Sequence, residues 1–164
     1  MRPVTIPRPI AVIDIDGVVA DVRHRVHHLE HRRPDWAAFF KAAPQDPPLL
    51  EGIALVRELR SDHEIVYLTG RPERCRRDTV NWLVAQGIGG HRILMRRNGD
   101  RRPARQTKLR HLERLAARDN VAVVVDDDPD VCATLRAAGY AVLHAGWMMR
   151  PGTLHTAQEV EGRT

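Results

Sequence analysis

Apolar and polar positions alternate along this chain in two rhythms. Short β-rich runs at residues 10–15, 64–68, 92–95, 121–125 and 141–144 read as five strands. The run 121–125 is apolar throughout, as a strand covered on both faces requires. Between them the period lengthens to that of a helix. Residues 51–61 line up Ile53, Leu55, Val56 and Leu59, residues 73–85 line up Val80, Leu83 and Val84, and residues 107–117 line up Leu109, Leu112, Leu115 and Ala116. A last helix, 130–138, follows Pro129, a residue suited to a first turn. Strands alternating with helices predict an α/β fold with a central parallel five-stranded sheet and right-handed crossovers. Residues 18–50 break the rhythm. That stretch holds Pro34, Pro44, Pro47 and Pro48 and one short helix at 35–43, and reads as a small flap inserted after strand 1, where ligands bind in open α/β sheets. Beyond Trp147 the pattern assigns no element, and residues 148–164 read as a tail or a packed coil.

Composition narrows the class. The 164 residues suit a single domain spanning 1–164, and 43% apolar with 29% charged residues excludes disordered and collagen-like chains. No apolar run is long enough to span a bilayer, and Met1 to Pro9 lead into no signal-like segment, so no membrane association is expected. Cys75 and Cys132 have neither zinc-site nor disulfide-framework spacing, which suits a reduced, cytoplasmic setting. The net charge of +5 is almost all guanidinium, since the 26 basic residues include only two lysines, Lys41 and Lys108. Planar guanidinium forks match phosphate oxygens, although a biased genome composition would produce the same excess.

Candidate chemistry gathers at the ends of the predicted strands. Asp14-Ile15-Asp16-Gly17 follows the first apolar run. Residues two apart on a strand share a side, so the two carboxylates converge at its end unless the motif is an ordinary turn exit. Convergence demands a cation, a proton or hydrogen bonds. Leu68-Thr69-Gly70-Arg71-Pro72 ends the second strand and opens a helix, offering a hydroxyl and helix-start amides to an anion, or a plain cap. Lys108 opens the fourth helix and is either a phosphate partner or a solvated charge. Asp126-Asp127-Asp128-Pro129-Asp130 ends the fourth strand, as solvated turn carboxylates or as part of an all-oxygen site suited to Mg2+.

These four stations, in this order, resemble the haloacid dehalogenase (HAD) superfamily of phosphohydrolases over residues 10–144. Within it the chain is most similar to the phosphatase domain of bacteriophage polynucleotide kinase/phosphatase. Arg25 falls at that family's arginine downstream of the first motif. Thr69-Gly70-Arg71 answers its Ser-Gly-Arg, and the stretch from Ile93 to Asp100 answers its Leu-Met-Arg-Lys-Asp-Gly-Asp. Val18 stands where many members carry Thr, and Pro103 and Ala104 depart within the third-motif approach. The resemblance implies a HAD-like Rossmannoid three-layer sandwich without a large cap. It further implies Asp14 as nucleophile and Asp16 as general acid and base. Thr69 and Lys108 would hold phosphate oxygens, with Gly70, Arg71 and Arg25 on the substrate. Mg2+ would be held by Asp14, the Asp16 carbonyl and Asp127, with Asp126 or Asp130 as alternatives.

A short flap leaves an open cleft able to receive a polymer end. Arg92, Arg96, Arg97, Arg101, Arg102 and Arg105 form one basic run, and residues 23–33 a second, rich in histidine; both read as phosphate grips or as solvated faces. Trp36, Phe39 and Phe40 on the flap helix read as packing residues before base-stacking ones. The leading expectation is a magnesium-dependent phosphatase of polynucleotide 3′ ends, working beside a separate kinase or ligase. A phosphatase of nucleotides or other small phosphomonoesters is the second, and a non-catalytic basic nucleic-acid-binding module the third. Six residues after Cys75 stands Asn81, which excludes the C-x5-R phosphatase motif. Neither lysine follows a glycine, which excludes a P-loop kinase.

Overall fold

The computed structural model describes residues 7–160 and 162. Residues Met1 to Ile6, and the final positions of the expected tail at 161, 163 and 164, lie outside the described residues. Among those described, five parallel strands form one sheet in the order β3-β2-β1-β4-β5: β1 Ile10–Ile13, β2 Glu64–Pro72, β3 Arg92–Arg96, β4 Val121–Asp126 and β5 Val142–His144. Strand β1 is central, and a one-residue bulge at Ala122 shifts its register against β4 between Ile10 and Ala11.

Period-two alternation sends each strand's side chains into two separate cores. Ala11, Ile13, Ile65, Tyr67, Ile93, Met95 and Val125 face one side; Ile10, Val12, Val66, Leu68 and Val124 face the other. Helices α2 Leu50–Leu59 and α3 Arg76–Ala85 contribute Ile53, Val56, Trp82 and Leu83 to the first core. Helices α4 Ala104–Ala116 and α5 Pro129–Ala137 contribute Leu112, Leu115, Val131 and Leu135 to the second. Full burial of each such side chain stabilises by about 1.5–3 kcal/mol. The result is the expected three-layer α/β sandwich, with no large inserted domain among the described residues.

Several details differ from expectation. The inserted segment is built into the body: Val18, Val19, Val22, Val26, Leu29, Phe39 and Phe40 are buried in the first core. It carries a 3-10 helix at Arg23–Leu29 that apolar spacing did not signal, then α1 Trp36–Lys41, whose Asp35 cap accepts from the Ala38 amide at 2.9 Å. Trp36, Phe39 and Phe40 stack on one another with centroids 5.3–6.0 Å apart and are buried, so they pack and do not stack bases. Gly52 of α2 lets the segment seat, since a Cβ there would lie 1.8 Å from the Val18 carbonyl oxygen. In α3 the buried face is Thr79, Trp82 and Leu83, while Val80 and Val84 are exposed. The Trp82 indole donates to the Asp46 carbonyl at 2.9 Å, which turns that face inward. Beyond Trp147 the chain forms α6 Gly152–Glu159, which packs on the 3-10 helix and on α4 through buried Leu154 and Ala157. No described helix is long and apolar enough to cross a membrane.

Candidate active site

All four predicted stations lie at the carboxyl edge of the sheet. The Asp14 amide continues the β1–β4 ladder by donating to the Val125 carbonyl at 2.9 Å, which brings Asp14 beside Asp126. The chain then turns sharply. Gly17 has φ of +80°, and a Cβ there would meet Asp127 Oδ2 at 2.1 Å, so both backbone conformation and space require glycine.

Carboxylate oxygens of Asp14, Asp126 and Asp127 lie within 4.8 Å of one another, all buried. Lys108 Nζ, also buried, bridges Asp14 Oδ2 at 2.8 Å and Asp126 Oδ2 at 2.6 Å. Arg150, which sequence reasoning missed, donates to Asp127 Oδ2 at 2.8 Å and Asp128 Oδ2 at 3.0 Å. Among the described residues, four buried carboxylates, Asp14, Asp126, Asp127 and Asp128, are thus paired with two cations, Lys108 and Arg150, a formal surplus of two negative charges. Burial, reinforced by Asp126 and Asp127 against the pull of Lys108, pushes the Asp14 carboxyl well above the usual range. Burial likewise raises Asp127 to about 6 despite Arg150. Lys108 moves up despite its burial, because Asp126 and Asp14 favour its charged form. Asp127 Oδ1 is buried with no hydrogen-bond partner among the described residues. An unpartnered carboxylate oxygen, an all-oxygen donor set and a charge surplus of two fit a hard divalent cation.

Asp16 belongs to a second cluster. Its Oδ1 accepts from Arg71 Nε at 2.8 Å and Arg25 Nη2 at 3.2 Å. Both guanidiniums also hold Asp46, Arg25 Nε at 2.7 Å and Arg71 Nη2 at 2.8 Å. Arg25 further stacks on the Phe39 ring at 4.1 Å. Burial opposes ionisation of Asp16, yet Arg71 and Arg25 outweigh it and hold the carboxyl below its ordinary value. Asp46 is the second residue missed by sequence reasoning; its setting among Pro44, Pro47 and Pro48 suggested only a loop.

The second motif departs from expectation. Strand β2 continues through Thr69, Gly70 and Arg71 to Pro72, and a 3-10 turn, Glu73–Cys75, separates it from α3. No helix-start amides therefore adjoin Thr69. Its hydroxyl accepts from the Arg71 amide at 3.2 Å, which leaves its own proton available. Arg96, expected on a basic edge, is buried. It donates to the carbonyls of Gly70 at 3.2 Å and Arg102 at 2.8 Å, bracing the second-motif loop because buried carbonyls need donors. Arg97 and Arg101 are exposed. Arg92, Arg102 and Arg105 pair with Asp119, Asp100 and Glu159. Asp130, the alternative ligand, lies apart from Asp14, in a group with Asp128 and His155. Both cysteines are free and buried, and burial pushes the Cys132 thiol up to about 12.

The family model described as the polynucleotide kinase PNKP phosphatase domain matches residues 8–146. No curated protein matches. Among solved structures, a chain of the Pnkp1/Rnl/Hen1 complex is similar with a TM-score of 0.68 at 21% identity, covering 85% of this chain and 46% of that one. The present chain therefore spans about half the length of that neighbour. A haloacid dehalogenase-like hydrolase from Streptococcus pneumoniae reaches a TM-score of 0.63 at 14% identity, covering 93% and 92% of the two chains. The HAD-hydrolase YfnB of Bacillus subtilis, bound to magnesium, reaches 0.62 at 6% identity, covering 90% and 93%.

Proposed function

The chain belongs to the PNKP phosphatase-domain family of HAD hydrolases, and from that premise we propose that it removes 3′-phosphate from polynucleotide ends through an aspartyl-phosphate on Asp14. The observation that carries the reading is the convergence of Asp14, Lys108, Asp126 and Asp127 in one buried site. A carboxylate oxygen of Asp14 attacks phosphorus, the P–O ester bond breaks, and the departing 3′-oxygen takes a proton from Asp16. Water then attacks the aspartyl-phosphate and gives its proton to Asp16, and cleavage of the bond to Asp14 releases orthophosphate. When bound by Asp14, Asp127, Asp126 and the Asp16 carbonyl, Mg2+ supplies Lewis-acid neutralisation of the phosphate charge.

The resting pairing of Asp16 suits the base step directly. The acid step needs a proton on Asp16, and a phosphate dianion beside Arg71 and Arg25 favours it by competing for the same guanidiniums. Thr69, the Gly70 amide and Lys108 hold the non-bridging oxygens. Arg96 supports that loop from behind, and exposed Arg97 touches the polymer backbone.

Family membership supports the polynucleotide end as substrate. The similar fold in the Pnkp1/Rnl/Hen1 RNA repair complex supports a separate kinase or ligase as working partner. In this role residues 1–164 act as one cytoplasmic domain. A second reading, a small phosphomonoester as substrate, is favoured by the neutralised edge, where Arg92, Arg102 and Arg105 are paired and Arg96 is buried. Oligonucleotides phosphorylated at the 3′ or the 5′ end, incubated with Mg2+ and assayed for orthophosphate, separate the two. Release from the 3′ end alone is expected. Release from small esters with none from a 3′ end would leave the second reading.

A further inference from the structure

Arg150 lies outside residues 8–146, yet it reaches the carboxylates of the site from the C-terminal segment. The segment is fastened on both sides of it. The Trp147 indole donates to the Val18 carbonyl at 2.9 Å and Met148 is buried; after Arg150, Leu154 of α6 is buried against the body. The Arg150 side chain is 11% exposed, with one terminal nitrogen on Asp127 Oδ2 at 2.8 Å and the other on Asp128 Oδ2 at 3.0 Å. Asp128 cannot swing away, because its Oδ1 caps α5 by accepting from the Asp130 amide at 2.9 Å.

Asp127 is thus gripped through one oxygen. Its Oδ2 sits between Arg150 and the bare backbone of Gly17, where a Cβ would collide at 2.1 Å. Its Oδ1 is buried and has no hydrogen-bond partner among the described residues, a condition that a bound cation relieves. Resting on the reading of Asp127 as a metal ligand, we propose that Arg150 is a positioning residue for the divalent cation: it fixes the Asp127 carboxylate beside those of Asp14 and Asp126 and leaves Oδ1 without a protein partner among the described residues. Groups that orient a ligating carboxylate typically govern metal affinity by about 10–100-fold. A guanidinium acting only as a charge would do the opposite, since its removal would strengthen the pull on a cation.

The experiment is calorimetric titration of Mg2+ into the full chain and into Arg150→Met and Arg150→Lys, with the thermal melt of each in EDTA. The expected result is Mg2+ binding weakened about 10–100-fold in Arg150→Met. Arg150→Lys should be intermediate, because one ammonium cannot hold Asp127 and Asp128 together. The Mg2+ concentration for half-maximal phosphate release should rise in step, with kcat at saturating Mg2+ largely restored. If Arg150→Met fails to melt cooperatively, Arg150→Lys decides, since it keeps the charge and loses the fork; weaker binding supports positioning and unchanged binding overturns it. Wild-type-like or tighter binding by a folded Arg150→Met also overturns it while leaving the metal reading intact. Absence of Mg2+ binding by the wild type overturns both.

Discussion

Two buried charge clusters lie side by side at the sheet edge, and their contrast is instructive. Around Asp16 the account closes internally: Asp16 and Asp46 face Arg25 and Arg71, and each guanidinium touches both carboxylates. Around Asp14 it does not: among the described residues, the four carboxylates of Asp14, Asp126, Asp127 and Asp128 are ion-paired with the two cations Lys108 and Arg150. Buried charge without compensation is costly, so the second cluster calls for an external cation while the first is complete as built. In the proposed mechanism the self-sufficient cluster holds the proton carrier in place, and the deficient one binds what must come and go.

Substitutions can break or sharpen this contrast. The largest effect is expected from Asp14→Asn, which should fold, since burial already disfavours the charge on Asp14, yet lose turnover by at least about 10⁴-fold in single-turnover assays. Next, Lys108→Met should lower kcat by about 10²–10³-fold. It should also destabilise the EDTA-treated protein by about 3–5 kcal/mol, because Asp14 and Asp126 lose their shared cation; denaturant melts with and without Mg2+ measure whether the ion restores part of that loss. Asp46→Asn strikes the balanced cluster and should cost about 3–5 kcal/mol in the same melts, with little response to Mg2+. There the two arginines act on Asp16 alone, its carboxyl falls further, and the acidic limb of the pH–rate profile moves to lower pH. A Mg2+-dependent rescue of Asp46→Asn equal to that of Lys108→Met would erase the distinction. The smallest effect belongs to exposed Arg97. Arg97→Ala should reduce the salt slope of oligonucleotide binding by about one and leave small-ester hydrolysis unchanged.

Much of the fold is legible because its strands obey a single rule. Ile10 to Ile13 and Ile65 to Leu68 send alternate side chains into two cores, so each strand reads as a continuous apolar run and the loops at their ends follow from where the run stops. Asp14, Asp16, Asp126 and Asp127 are readable because each stands where a strand ends; Thr69 lies inside β2, which runs on to Pro72, and Lys108 one turn inside α4, which begins at Ala104 and not at residue 107, so those two are readable from residue type and order along the chain. Asp46 and Arg150 are not, because their importance arises only when distant segments close on one another. Asp46 meets Arg25 and Arg71 across 21 and 25 positions, and Arg150 meets Asp127 across 23. The inward face of α3 was obscured for a related reason: the Trp82 indole seeks the Asp46 carbonyl, a tertiary demand that spacing of Val80 and Val84 cannot express. Helix α6 buries only Leu154, Ala157 and Gln158, too short an apolar stripe to stand out. Arg96 misled because a basic run in sequence does not say which of its members turns inward to carbonyls.

The most direct test of the account is to follow the phosphate itself. An oligonucleotide with a radiolabelled 3′-phosphate, mixed with excess protein and Mg2+ and quenched in acid within one turnover, should leave an acid-stable, hydroxylamine-labile label on the peptide carrying Asp14. Rapid phosphate release with no label at Asp14 at any quench time, or label on another residue, would contradict it.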